Sequence, residues 1–324
     1  MTHRRTLLLG ALATLICLQA PVARAAYPER TITLVVPFAP GGPTDIIARI
    51  LSESLSQSLK QSVIVENKPG AAGNLGMGQA ARAKPDGYTL LLASTAIAVN
   101  PALFEKLPYD PIKDFAPISE LATSPNIVVV RPDSGINSIA ELVARAKAAP
   151  GTFNYSSPGA GTKSHLTGEE LKQRGGIEMT HIPYRGAGPA AIAALEGTVQ
   201  VASVALPAAE PLVQGGQLRG LAVTGAKRWS SLPNVPTMEE AGYPGFISDT
   251  FSAVFVPSGT PPDIIALLAK HCREAFAGEK ARQTAKAAGF EVVAGTPEQL
   301  AARLAAEIPA VKALVARAGI KVQQ

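Results

Sequence analysis

The feature that most constrains this chain is a repeated alternation of short β-branched runs with amphipathic helical segments, punctuated by glycine-rich turns. Candidate strands lie at 31–38, 62–66, 88–93, 126–131, 179–183, 199–205, 218–224 and 252–256. Between them, apolar residues recur at helical spacing. Ile47, Leu51 and Leu55 make one stripe, widened by Ile46, Ile50 and Leu59; Ile139, Leu142, Val143 and Ala146 make another. Thr296-Pro297-Glu298-Gln299 reads as a helix start, with Thr296 as cap and Gln299 completing a capping box. Such alternation predicts an α/β fold in which parallel-rich sheets are flanked by helices. With 324 residues, 47% of them apolar, the chain can bury enough surface for two lobes, and disorder is excluded. No long linker separates the lobes. Paired strands at 126–131 and 249–256 are the predicted crossings, giving one discontinuous lobe, 26–125 plus 249–324, and a second at 126–248.

The amino terminus reads differently. Arg4-Arg5 precede an uncharged run from Thr6 to Ala20, then Ala23-Arg24-Ala25, which is the layout of a secretory signal (1–25) cleaved near Ala25. The run is shorter than the roughly 20 residues a membrane span needs. Both general secretory and twin-arginine export are compatible with it. Cleavage removes Cys17 and leaves Cys272, so no internal disulfide can form, and Cys272 is expected in the core. Losing Arg4, Arg5 and Arg24 takes the 30 basic residues to 27, against 25 acidic. The remaining net charge of about +2 is no footprint for a nucleic acid.

Three turns carry the chemistry. The first, from Val35 through Phe38, Ala39, Gly41 and Gly42 to Asp45, leads from a strand into a helix. Its glycines allow close backbone approach to a ligand, and the helix start offers unpaired N–H groups. Thr44 or Asp45 is the expected helix cap. In the second, Glu66 to Gly76, the glycine order is wrong for a dinucleotide fingerprint, and Asn74 as the cap of the next helix stands even with a ligand-facing role for the loop. The third, Asn154 to Leu166, carries Ser157, Gly159, Gly161 and Thr162 before another helix whose apolar face holds Leu166 and Leu171. Its Gly161-Thr162-Lys163-Ser164 fragment lacks the spacing of a phosphate loop. Hydroxyls and glycine amides at a helix start suit a carboxylate, and two such turns could hold both ends of a small dianion without an arginine. Enzymatic readings fare worse. Histidines 165, 181 and 271 match no zinc spacing, Ser164 and His165 do not face each other on a helix, and no Gly-x-Ser-x-Gly elbow occurs. His165 and His181 are expected to be structural, and neither metal nor cofactor is implied.

A series of motifs in order gives the chain a family likeness: Pro40-Gly41-Gly42 with Asp45; Val65-Glu66-Asn67-Lys68-Pro69-Gly70; Pro85-Asp86-Gly87-Tyr88; Asn154-Tyr155-Ser156-Ser157 with Gly161-Thr162 and His165-Leu166; His181-Ile182-Pro183-Tyr184; and Pro233-Asn234-Val235-Pro236-Thr237. In these the chain resembles the Bug-type solute receptors of the tripartite tricarboxylate transporter systems, over nearly all of its mature length. The resemblance implies a two-lobed, type II-like periplasmic binding protein fold that closes on a small organic carboxylate. It also implies a periplasmic, monomeric protein that delivers its ligand to permease subunits in the inner membrane and is not an enzyme. Carried over by position, the Phe38–Asp45 turn (Phe38, Ala39, Gly41, Gly42, Asp45), Ser94 and Thr95, and the Ser157–Thr162 turn (Ser157, Gly159, Gly161, Thr162) are the implied contact regions. After the strand at Val199 the chain departs from the family pattern, with Ala205-Leu206-Pro207 where relatives often carry Asp. If Ala205 faces the ligand, no acidic partner awaits an ammonium group, so a non-amino carboxylate is expected. A receptor serving a sensor protein and a secreted carboxylic-ester hydrolase are the alternatives.

Overall fold

The computed structural model of the protein describes residues 27–184 and 186–320. The expected signal segment, 1–25, and Cys17 lie outside these residues. Among the described residues, strands and α-helices alternate in the order β1 (Ile32–Val36), α1 (Pro43–Leu59), β2 (Val63–Asn67), α2 (Asn74–Ala81), β3 (Thr89–Ser94), α3 (Ala96–Leu103), β4 (Phe115–Val130), α4 (Ile139–Ala148), β5 (Phe153–Ser157) and α5 (Lys163–Gly175). They continue with β6 (Met179–Pro183), α6 (Ala187–Leu195), β7 (Val201–Ala205), α7 (Leu206–Gln214), β8 (Arg219–Val223), β9 (Asp249–Pro257), α8 (Pro262–Ala275), α9 (Glu279–Ala287), β10 (Glu291–Val292) and α10 (Pro297–Arg317).

The strands join in the order β2-β1-β3-β9-β4-β7-β5-β6, with β8 and β10 also on β4. The pivot is β4, whose 16 residues span about 50 Å at a strand's rise. Its first part, Phe115 to Pro125, pairs antiparallel with β9, while Asn126 to Val130 pair with β7 and β8. Asn126, which is 1% exposed, knits this changeover. Its amide N–H donates to Thr224 Oγ1 (2.8 Å), its Nδ2 donates to the Ser248 carbonyl (2.7 Å), and its Oδ1 accepts from Ser164 Oγ (2.6 Å).

Parallel pairing holds within β2-β1-β3 and within β6-β5-β7, whereas β9, β4, β8 and β10 are antiparallel to their neighbours. The sheet is mixed, with parallel blocks at both ends. Both faces are covered, as a period of two requires. Leu34, Leu90, Leu92, Val254 and Val256 point to α1 and α8, while Val35, Leu91, Ala93, Ala253 and Phe255 point to α2, α3 and α10. In the second part of the sheet, Ile127, Val129 and Val204 pack on α6 and α7, and Val128, Val130 and Val201 pack on α4. Each such fully buried Val, Leu or Ile contributes about 1.5–3 kcal/mol.

The helix stripes, the Thr296–Gln299 capping box and the burial of Cys272, whose thiol is pushed up to about 12 by desolvation, follow the sequence reading. Two expected caps are corrected. Gly42 and Gly73 are the N-caps of α1 and α2, because Asp45 and Asn74 spend their side chains elsewhere. The first eleven residues of β4 escape the sequence reading because Pro117 and Pro125 interrupt them. Pro117 borders a register shift and Pro125 pairs with the first residue of β9, both places where a missing N–H is tolerated.

Candidate functional site

The turn before α1 is braced from within. Gly41 takes φ +81°, and its N–H donates to Asp45 Oδ2 (2.9 Å), which also accepts from Arg49 Nε (2.8 Å). Asn67 Nδ2 donates to Asp45 Oδ1 (2.9 Å) and to the Phe38 carbonyl (3.0 Å). Burial works to raise the Asp45 pKa, but the hydrogen bonds from Arg49, Gly41 and Asn67 outweigh it and hold the carboxyl below its ordinary value. Asp45 thus shapes the loop that carries Phe38, Ala39, Gly41 and Gly42.

The turn before α2 places Ala71 and Ala72 at φ +47° and +55°, a conformation that costs a non-glycine residue about 1–2 kcal/mol. It is held by Asn100 of α3, whose Nδ2 donates to the Ala72 carbonyl (3.1 Å) and to Asn74 Oδ1 (2.7 Å). Asn74 Oδ1 also accepts from the Tyr109 hydroxyl (2.9 Å).

The turn before α5 comes from the far part of the sheet. Gly159 and Gly161 take φ +145° and +78°, and Thr162 caps the helix by accepting from the His165 N–H (3.3 Å). Thr162 Oγ1 donates to the Gly159 carbonyl (2.8 Å), and the Gly161 N–H donates to His165 Nδ1 (3.0 Å). A Cβ on Gly161 would stand 2.6 Å from Leu103 Cδ1 of α3, so a side chain there would force Leu103 or the turn itself to shift.

Between them lies a cavity of ≈ 280 Å³ lined by Phe38 and Ala72, by Ser94, Thr95, Ala96, Val99, Asn100, Leu103 and Phe104, and by Ala160, Gly161, Thr162 and Lys163. Two helix N-termini open onto it, α3 from the first part of the sheet and α5 from the second. Of the residues singled out in the sequence, Phe38, Ser94, Thr95, Gly161 and Thr162 are its walls; Ala39, Gly41, Gly42, Asp45, Ser157, Gly159 and Ala205 are not. Ala205 pairs with Asn126 at the start of α7, and Ser157 is fully buried beneath the Gly159 turn. The wall residues missed in the sequence are mostly the inward face of α3. Its Val99 and Leu103 are four apart but sit in a short helix whose one polar residue, Asn100, faces the same cavity, so no opposite polar face marks the stripe.

Comparison with known proteins places this geometry. Residues 47–320 match the family described as the tripartite tricarboxylate transporter family receptor. The chain belongs to this receptor family. It is 38% identical to Protein BugT of Bordetella pertussis over 306 residues, 94% of each chain. Among solved structures, Rpa4515 of R. palustris with adipate superposes with a TM-score of 0.75 at 33% identity, covering 92% of this chain and 100% of that one. MatC from Rhodopseudomonas palustris with bound malate superposes with a TM-score of 0.72 at 32% identity, covering 89% and 100%. The two-lobed binding-protein fold implied by the motifs is therefore the fold of this receptor.

Beneath the turn before α5 the receptor stacks three rings. His165 and His181 lie face to face with centroids 3.9 Å apart, and Tyr155 lies 4.9 Å from His181. Ser157 Oγ hydrogen-bonds His181 Nε2 (2.7 Å), while Tyr155 OH donates to Glu169 (2.6 Å), which Lys172 also holds (2.8 Å). The Ser157–His181 pair has the spacing of a nucleophile and base, but Ser157 Oγ is sealed from solvent under its own turn. Burial, then the neighbouring His165, pushes the His181 pKa down to about 4; burial also lowers that of His165, partly offset by Glu169. A base whose folded pKa lies below its ordinary 6.5 takes up protons more readily when unfolded, so stability falls as the pH drops from 6.5 towards 4. Unfolding at pH 7 and pH 5 should show a loss of about 1–2 kcal/mol. The His181→Gln variant should show less than half of it; an unchanged loss would mean that other groups carry the acid response.

A larger groove lies elsewhere. It measures ≈ 780 Å³ between α5, the 245–249 segment and α10. Most of its charged walls are already paired: Lys163 with Glu307 (2.5 Å), Arg174 with Glu170 (3.3 Å), and Arg303 with Asp249 and Glu307. Among the described residues no cluster of three or more His, Cys, Asp or Glu is placed to hold a metal, and no helix is long and apolar enough to cross a membrane.

Proposed function

We propose that this receptor captures a small organic carboxylate in the cleft between a lobe formed by 26–125 with 249–324 and a lobe formed by 126–248, and delivers it to the permease subunits of a tripartite tricarboxylate transporter. The observation that carries this reading is the convergence of two helix N-termini, one from each lobe, on a single cavity of ≈ 280 Å³. Each charge-assisted hydrogen bond there contributes about 1.5–3 kcal/mol and each helix end about 0.3–1 kcal/mol. Ser94, Thr95, Gly161 and Thr162 face the ligand with Phe38. The Ala39–Gly42 loop approaches from the rim on lobe closure, and Asp45, Ser157 and Gly159 hold their turns in shape. Ala205 stands outside this cavity, so its lack of charge no longer speaks to the ligand. Adipate and malate on related receptors support the carboxylate class. The protein acts in the periplasm as a monomer after cleavage near Ala25, and binds without turnover, in keeping with the buried Ser157. Native mass spectrometry of the purified protein should reveal one organic acid per chain, recovered unchanged. A non-acidic ligand, or an acid consumed on incubation, would overturn the reading.

A further inference from the structure

The walls of the cleft also bear on which carboxylate it takes. Beyond the two helix starts, its surface is hydrocarbon: Phe38, Val99, Leu103 and Phe104 face it, with three alanines between. Most of the polar groups interleaved with them already hold partners, Ser94 Oγ accepting from the Ala96 N–H (3.3 Å). Thr95 Oγ1 accepts from the Phe251 N–H (2.9 Å), Asn100 Nδ2 is shared between the Ala72 carbonyl and Asn74, and Thr162 Oγ1 bridges the Gly159 carbonyl and the His165 N–H. Lys163 is the one charged residue among the walls, and its Nζ is held by Glu307. No acidic side chain lines the cavity among the described residues.

We infer, resting on the reading of this cleft as a carboxylate site, that it selects acids whose body is unsubstituted hydrocarbon, aliphatic or aromatic, over hydroxylated or aminated ones, and that Val99 and Leu103 of α3, with Phe104 just beyond it, set this preference. A hydroxyl donated into such a wall gives up its hydration without a matched acceptor, and an ammonium group meets no counter-charge; either loss exceeds what the same atoms gain by packing. The small volume limits the body to a few carbons or one ring.

Calorimetric titration of three matched sets tests this: succinate, malate and aspartate; glutarate, 2-hydroxyglutarate and glutamate; 3-phenylpropionate, phenyllactate and phenylalanine. In whichever sets bind, the hydrocarbon member should bind at least about tenfold tighter than its substituted partners. In the variant Phe104→Asn, at a partly buried wall position at the edge of the core, that ratio should shrink at least about threefold. Equal or tighter binding of the hydroxy or amino acids overturns the inference while leaving the carboxylate receptor standing. Tighter hydrocarbon binding with an unchanged ratio in the variant overturns the role of α3. Binding by none of the nine acids overturns both this preference and the carboxylate reading.

Discussion

Replacing Gly161 by valine is expected to weaken ligand binding by about 100-fold while leaving the receptor folded. Two effects add. Valine at φ +78° is strained by about 1–2 kcal/mol. Its side chain also enters the space of Leu103, whose Cδ1 lies 2.6 Å from the Cβ position. Leu103 has little freedom to retreat, because it packs with Val99, Leu166, Val311 and Leu314 where α3, α5 and α10 meet. Overpacking of this kind costs about 1–3 kcal/mol, and it is relieved if the Gly161 turn and α3 move apart. The strain therefore falls mainly on the closed arrangement that binding requires. Gly41→Val is the matched control: it shares the left-handed backbone, at φ +81°, but its side chain would meet nothing within 4 Å. Titration calorimetry should find Gly161→Val much the weaker binder of the two, with Leu103→Ala restoring part of the loss. Affinity of Gly161→Val within about threefold of the parent would mean that the approach of the Gly161 turn to α3 is not what holds the ligand.

The second large effect concerns stability. Arg303 of α10 reaches across to Glu120 of β4 (2.6 Å), to Asp249 at the start of β9 and to Glu307 (3.2 Å), with its guanidinium 4.5 Å from the centre of the Phe251 ring. Arg303→Met should destabilise the protein by about 3–5 kcal/mol, because it leaves nearly buried carboxylates facing each other without their cation. Burial first, with Asp249 and Glu307 adding, already raises the Glu120 pKa against the pull of Arg303. A carboxyl with a raised folded pKa is most stabilising when protonated, and that stability is lost as the pH rises through the folded pKa. Without Arg303 the rise is larger, so the deficit of the variant should shrink between pH 7 and pH 5. Urea unfolding at the two pH values gives the answer. A deficit independent of pH would assign the role of Arg303 to its packing over Phe251 rather than to its charge.

How much of this was legible beforehand depends on whether the signal is local. The stripes of α1 and α4 and the Thr296 capping box are set by neighbours in sequence, and they appear where the pattern puts them. The turn at Gly161 and Thr162 was legible for the same reason. The long course of β4 was not, because its prolines sit at a register shift and at the handover from β9, both properties of the partner strand. Asp45, one of the two cap candidates with Thr44, is instead a brace for Gly41 and Asn67, a role fixed by a residue 22 positions away. The apolar wall of α3 was invisible for a further reason. Val99, Leu103 and Phe104 look like any buried helix until Gly161 from the other part of the sheet is set against them.

The most direct test is a crystal structure of the receptor with the acid that co-purifies. A carboxylate should lie between the two lobes, within hydrogen-bonding distance of the amides or hydroxyls at the starts of α3 and α5, with its body against Val99 and Leu103. An acid bound instead in the groove between α5 and α10, with the cleft beside Gly161 left to solvent, would contradict the account.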